Sequence, residues 1–167
     1  MFLNLRLQRG FSLVELVTVL ALLGIISAVA FARLGDVSSF RSSVFQQQML
    51  SYLRLAQRTA VAHQGSGAQL VIGRTSNTQW LLTLQFAGQT VSYPLEGRYR
   101  FSYAGSGASG MLTAGDSLTL VYQDTGDLVQ LQTPTALPVN GSVTFAIEDA
   151  RYLCTSPAGF SYDGACL

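Results

Sequence analysis

Gly10-Phe11-Ser12-Leu13-Val14-Glu15-Leu16 opens an apolar run that reaches Ala32 with Glu15 as its one charged residue, behind a short leader that carries Arg6 and Arg9. The run from Phe11 to Ala32 is 22 residues long. As an α-helix it would span about 33 Å, against a hydrocarbon core of about 30 Å. The two leader arginines have no acid near them, so the positive-inside rule places residues 1–10 in the cytoplasm and everything after Ala32 outside. The segment reads as a single N-in membrane span.

Glu15 is the anomaly in that span. An acid at the centre of a membrane helix costs about 2.5–3.5 kcal/mol on insertion scales, so intramembrane acids usually have a partner. The run contains no Lys, Arg or His. A free α-amine would serve as a cation with three donors and could form a charge-assisted hydrogen bond to the carboxylate. Cutting the chain after Gly10 would create that amine on Phe11, at the same membrane end as Glu15. Pairing between neighbouring subunits would also set their axial register, which makes assembly the natural use.

The stretch from Arg9 to Leu16, followed by Val17-Thr18-Val19-Leu20-Ala21-Leu22-Leu23-Gly24-Ile25-Ile26, resembles the class III signal of type IV pilins and type II secretion pseudopilins. The resemblance implies that a prepilin peptidase cuts between Gly10 and Phe11, that Phe11 is N-methylated, and that Glu15 is needed for assembly. It also implies other pilin or pseudopilin subunits, the peptidase, an inner-membrane assembly platform and membrane lipid as partners. The location implied is the bacterial inner membrane with a periplasmic head, then a pilus (fimbrium) or pseudopilus. The similarity is strongest over residues 9–31. Many pilins have a helix-kinking proline near the end of this segment, where this chain has Phe31-Ala32-Arg33, so a straighter helix is expected, with Gly24 as a weak point.

A Sec signal peptide is the competing reading. Ala28-Val29-Ala30 and Ala30-Phe31-Ala32 both fit an A-x-A cleavage site, and Arg6 and Arg9 suit an n-region. An acid inside the h-region and a run longer than the 7–15 residues usual there count against it.

The 167 residues support one domain plus the anchor, organised as a leader over 1–10, a transmembrane and assembly helix over 11–32, an amphipathic continuation over 33–64 and a β-rich head over 65–167. Charged residues are 11% of the chain, and all ten basic residues are arginines. Losing residues 1–10 would leave eight arginines against nine acids, a balance that does not point to nucleic acid.

After Arg33, Phe45, Met49, Tyr52, Leu53, Ala56 and Ala60 follow steps of three and four, with Gln46, Gln47, Arg54, Gln57 and Arg58 between them. This spacing predicts an amphipathic helix. Residues 11 to about 63 read as one long helix ending near Gln64-Gly65-Ser66-Gly67. Beyond it, Gln69–Gly73, Gln79–Phe86, Thr90–Tyr93, Arg98–Tyr103, Ser117–Gln123, Leu128–Gln132, Ser142–Ile147 and Arg151–Cys154 read as short antiparallel strands, with a hairpin at Asp124-Thr125-Gly126-Asp127. The expected fold is α+β, a long N-terminal helix packed on an antiparallel β-sheet or β-sandwich head.

Cys154 and Cys166 are the only cysteines. In an exported domain such a pair reads as a disulfide closing a short loop. Two free thiols or a metal pair are the rivals, and no His or third Cys lies near to support a metal.

The stretch Arg54 to His63 resembles the helix end of the type II secretion H-pseudopilin group, and Leu120 to Gly126 resembles a strand and turn near the end of that group. The terminal cysteine pair is more like the minor prepilins of type IV pili, including the minor pilin C type of the mannose-sensitive haemagglutinin pilus. These resemblances imply a minor pilin.

The head is thin in chemistry. His63 is the only histidine and falls at a helix end, where interaction with the helix dipole accounts for it, so no enzyme and no catalytic residue is expected. Gly105-Ser106-Gly107 and Gly110 read as a flexible loop, since no Lys accompanies them. Asp124 with Asp127, or Glu148 with Asp149, would contribute too few oxygens for calcium, so neither a metal nor a cofactor is expected. The alternative function is a DNA- or surface-binding pilus subunit. Its candidate contacts are Arg98 and Arg100, which share one strand face while Tyr99, Phe101 and Tyr103 share the other.

Overall fold

The computed structural model describes residues 12–34 and 37–166, with side chains placed outside 32–39. The chain divides after Ser39 into two compact units. The first contains helix α1, Leu13–Leu34. A second helix, α2, covers Val37–Ala62, and from Phe40 onward it belongs with the β strands to one unit. Where one helix over 11 to about 63 is expected, the described residues form these two helices, and residues 35–36 between them lie outside the description.

Among the described residues, eleven strands follow α2. A six-stranded antiparallel sheet has the order β3 (Gln89–Glu96), β2 (Gln79–Phe86), β1 (Ala68–Arg74), β6 (Ser117–Tyr122), β7 (Leu128–Thr133) and β8 (Thr135–Pro138). A five-stranded antiparallel sheet has the order β11 (Ser161–Asp163), β10 (Arg151–Thr155), β9 (Val143–Ile147), β4 (Phe101–Gly105) and β5 (Ala108–Met111). The fold is α+β.

Alternation decides which face each strand buries. Leu70 and Ile72 in β1, Trp80, Leu82 and Leu84 in β2, and Leu118, Leu120 and Tyr122 in β6 point inward from the larger sheet. Phe101 and Tyr103 in β4, with Val143, Phe145 and Ile147 in β9, point inward from the smaller one. Phe45, Met49, Leu50, Leu53, Ala56 and Ala60 of α2 join both sets in a single core. The joint is aromatic. Trp80 lies 5.8 Å from Phe45 and 5.7 Å from Phe101, and Phe101 stacks on Phe145 at 5.6 Å between centroids. Such pairs contribute about 0.5–1.5 kcal/mol each beyond the area they bury.

Two expectations are corrected. The Gly/Ser/Ala stretch around Gly105 is a hairpin between β4 and β5 rather than a flexible loop. Gly105 pairs with Ala108, and the two residues between, Ser106 and Gly107, both have positive φ (52° and 77°). That is the backbone sign of the tight turn whose twist matches flanking strands. Ser106 Oγ also donates to Gly141 O at 2.9 Å. The strand expected from Arg98 begins instead at Phe101, because the chain from Gly97 to Arg100 crosses from one sheet to the other.

The hairpin at Asp124–Asp127 is present, with Gly126 N donating to Gln123 O at 2.8 Å and Gln123 N to Asp127 O at 2.9 Å.

Tyr122 carries a cost inside the core. Its hydroxyl is buried with no hydrogen bond of good geometry, and burial raises its pKa, opposed only in part by a weak interaction with the Ser161 side chain. The Ser161 hydroxyl is itself bonded to Thr155 Oγ1 at 2.8 Å. Because an unpaired buried hydroxyl costs about 1–3 kcal/mol, Tyr122→Phe is expected to leave stability unchanged or raise it by about 1 kcal/mol in urea unfolding. A loss of 1 kcal/mol or more would mean that the hydroxyl has a partner.

Candidate functional site

The α1 helix begins at a cap. Ser12 Oγ accepts the Glu15 amide at 3.2 Å, and Ser12 O accepts the Glu15 and Leu16 amides at 3.1 and 3.2 Å. Ser12 is therefore the N-cap and Glu15 the third helical residue, the Ser-x-x-Glu spacing of a capping box. Thr18 Oγ1 donates back to Glu15 O at 2.9 Å. Reasoning that treats Glu15 only as an intramembrane acid misses this cap, although Ser-x-x-Glu ahead of an apolar run is its sequence signature. The helix start gives Glu15 a local role, since a carboxylate in the first turn gains about 0.3–1 kcal/mol from the helix dipole.

From Leu13 to Phe31 the helix is 19 residues of mean hydropathy 2.5, with none of it buried within the chain. Leu13, Leu20, Ile25, Ile26 and Phe31 are each at least 60% exposed and lie on several sides of the helix. A helix that is apolar all round requires lipid or other helices around it. Glu15 lies two residues, about 3 Å along the axis, inside the N-terminal end of this span. The cleavage pair Gly10 and Phe11 lies outside the described residues.

In the head, the candidate residues are dispersed. Arg98 is exposed. Arg100 is engaged by acids, with its guanidinium 2.9 Å from Asp149 Oδ2 and 3.7 Å from Glu148 Oε2, and its backbone amide donating to Glu148 Oε1 at 2.8 Å. These contacts hold the β9–β10 turn, where Glu148 and Asp149 both have a φ of 54°. The other suggested acid pair is also occupied. Asp124 Oδ2 accepts the Gly65 amide at 3.2 Å, and Asp127 Oδ2 accepts the Thr125 hydroxyl at 2.7 Å. Among the described residues no group of three or more His, Cys, Asp or Glu is placed to hold a metal ion. Asp116 has its pKa lowered by hydrogen bonds from the Thr113 hydroxyl and amide, which accounts for it as a surface turn.

His63 Nδ1 lies 3.0 Å from Thr59 O, and its ring packs on Phe86 at 4.6 Å. It sits at the end of α2 as a half-buried contact between helix and sheet.

The polar flank of α2 has a role that its sequence spacing does not reveal. Gln46 is only 3% exposed, and its Nε2 donates to Asp163 Oδ1 at 2.6 Å and Tyr152 O at 3.1 Å. Arg54 Nε donates to Ser161 O at 3.0 Å, and Gln57 Nε2 to Ala158 O at 3.0 Å. These three side chains, on one flank of the helix, thus hold the C-terminal segment of the chain against α2. Cys154 and Cys166 are joined in a disulfide within the same segment. Gly159, at φ 75°, packs against Gly126 O so closely that a Cβ there would overlap it.

The placement of Arg100 predicts its mutant. Arg100→Ala should lower stability by less than about 1 kcal/mol, the usual value of an exposed ion pair, while hydrogen exchange at the Glu148 amide, which donates to Arg100 O at 3.0 Å, speeds up selectively. Unchanged exchange there would show that the turn holds without the pair.

Residues 5–31 match the prokaryotic N-terminal methylation motif, the signal of type IV pilins and pseudopilins. No curated protein and no solved structure matches the chain. The motif supports a pilin or pseudopilin precursor, a membrane-anchored structural subunit that is processed by prepilin peptidase and assembles with other pilin subunits.

Proposed function

We propose that this chain is a minor type IV pilin or pseudopilin, cut between Gly10 and Phe11, methylated on Phe11 and built into a pilus or pseudopilus, or into its initiating complex, through α1. The observation that carries this reading is the coincidence of the methylation motif over residues 5–31 with an exposed apolar helix that has its single acid in the first turn. The helix dipole offsets part of the cost of that acid. A neighbour's α-amine would offset more, because two opposite charges attract more strongly as the dielectric falls.

In this reading the leader stays cytoplasmic, the head is periplasmic, and the apolar surface of α1 exchanges lipid for neighbouring helices on assembly. Dispersion contacts and interhelical hydrogen bonds, rather than a hydrophobic driving force, then hold the bundle. The head supplies the outer surface of the assembled protein. Its low charge, its Cys154–Cys166 disulfide and its tethered C-terminal segment suit an exported structural part.

Intact-mass measurement of the mature protein tests the processing. The expected mass is that of residues 11–167 with one added methyl group and two hydrogens lost to the disulfide. A chain that starts at Phe31 or Arg33 would establish Sec processing instead, and one that keeps Met1 would exclude prepilin cleavage.

A further inference from the structure

The two sheets end in four edges, and three of them are short. β8 and β5 have four residues each, and β11 has three. Short edge strands are one of the ways in which proteins discourage pairing with another chain. β3 is different. It has eight residues, lies at the end of the six-stranded sheet, and carries no charge from Gln89 to Leu95. Gln89, Thr90, Val91, Ser92 and Pro94 are all exposed.

The hydrogen-bonding direction of β3 follows from its register. Gly97 N donates to Thr78 O at 2.9 Å, so the pair Gly97–Thr78 faces β2. In an antiparallel ladder such pairs alternate, so the backbone groups of Leu95, Tyr93, Val91 and Gln89 face β2, and those of Thr90, Ser92 and Pro94 face outward. Pro94 has no N–H. Thr90 and Ser92 therefore present two complete donor and acceptor sets on the open side before Pro94, and Glu96 presents a third beyond it.

We infer that this edge is a self-complementary docking strand, on which β3 of a second copy of the chain pairs antiparallel with Val91 opposite Val91. In that register Thr90 of one copy faces Ser92 of the other on both sides of the centre, and the four outward N–H groups of these residues meet their four outward carbonyls. Thr opposite Ser is a favourable cross-strand pair, and the central valines meet at a non-hydrogen-bonded position, where side chains lie closest. Within the chain the same chemistry already joins β3 to β2, where Thr83 Oγ1 and Ser92 Oγ are 3.2 Å apart. Gly88 at the hairpin turn and Pro94 bound the pairing at each end, so it is confined to Gln89–Tyr93 of each copy and remains free of charge. A contact this small is weak in dilute solution and gains from confinement in a membrane, where effective concentration is high.

Thiol crosslinking of the full chain in the membrane fraction of expressing cells tests the register. Val91→Cys, under mild oxidation, should give a disulfide-linked dimer that peptide mapping assigns to the two introduced thiols. Thr90→Cys, whose position faces Ser92 rather than itself, should give at least tenfold less. Adding Ser92→Pro to Val91→Cys removes two of the outward donors without touching a backbone bond to β2, although it also removes the Ser92 Oγ–Thr83 Oγ1 contact, and should reduce the dimer at least tenfold. The native Cys154–Cys166 linkage and Trp80 emission report whether that variant folds. If they are lost, Thr90→Lys with Ser92→Lys, which sets like charges across the pairing, replaces it and should reduce the dimer equally. Dimer yields from Thr90→Cys that match those from Val91→Cys, no mapped dimer from Val91→Cys, or a dimer that survives in a folded edge variant would overturn the inference. It is independent of where the leader is cut.

Discussion

The contact of Trp80 with Phe45 on one side and Phe101 on the other is the joint on which the head depends. Trp80 belongs to the larger sheet, Phe45 to α2 and Phe101 to the smaller sheet, so a single indole is shared by all three layers. Its ring nitrogen donates to Gly97 O at 3.1 Å, which fixes the place where the chain leaves β3 for the second sheet. The Arg74 guanidinium, 5.1 Å from the ring centroid, covers it from a neighbouring strand. A large aromatic side chain with its one polar atom satisfied can be buried at little cost and organises much apolar area around it.

Around that joint, α2 serves as more than a lid. Its apolar stripe fills the core, and its polar flank ties down the end of the chain through Gln46, Arg54 and Gln57. The two faces reinforce each other. The stripe fixes the rotation of the helix, and that rotation decides which polar side chains reach β10 and β11. The disulfide between Cys154 and Cys166 then closes the loop that contains β11, so a three-residue strand that could not persist alone is held from both ends. A cross-link of this kind acts mainly by restricting the unfolded chain.

Much of this is legible in the residues. The stripe from Phe45 to Ala60 is a local pattern, and so is the alternation of Gln79–Phe86, which spans the observed β2. β5, β8 and β11 are not legible as strands. They are short edge pieces rich in small residues or flanked by proline, and pairing with a neighbour defines them more than their own side chains do. The burial of Gln46 is hidden for the same reason, since its partners are 106 and 117 residues away. The candidate site shows the opposite limit. Glu15 stands out as an acid in an apolar run, yet that prominence draws attention away from Ser12, which caps the helix and places the acid in its first turn.

Glu15 thus has two accounts that differ in magnitude and in partner. The helix dipole contributes about 0.3–1 kcal/mol to the carboxylate within one chain, and an amine from a neighbour would act only between chains. The most direct test is the fraction of processed protein recovered in filaments for Ser12→Ala and Glu15→Gln, compared with the wild type. If the acid serves assembly, Ser12→Ala enters filaments at near wild-type levels while Glu15→Gln remains in the membrane fraction. If Glu15→Gln assembles as well as Ser12→Ala, assembly does not need the carboxylate and the pairing account is contradicted.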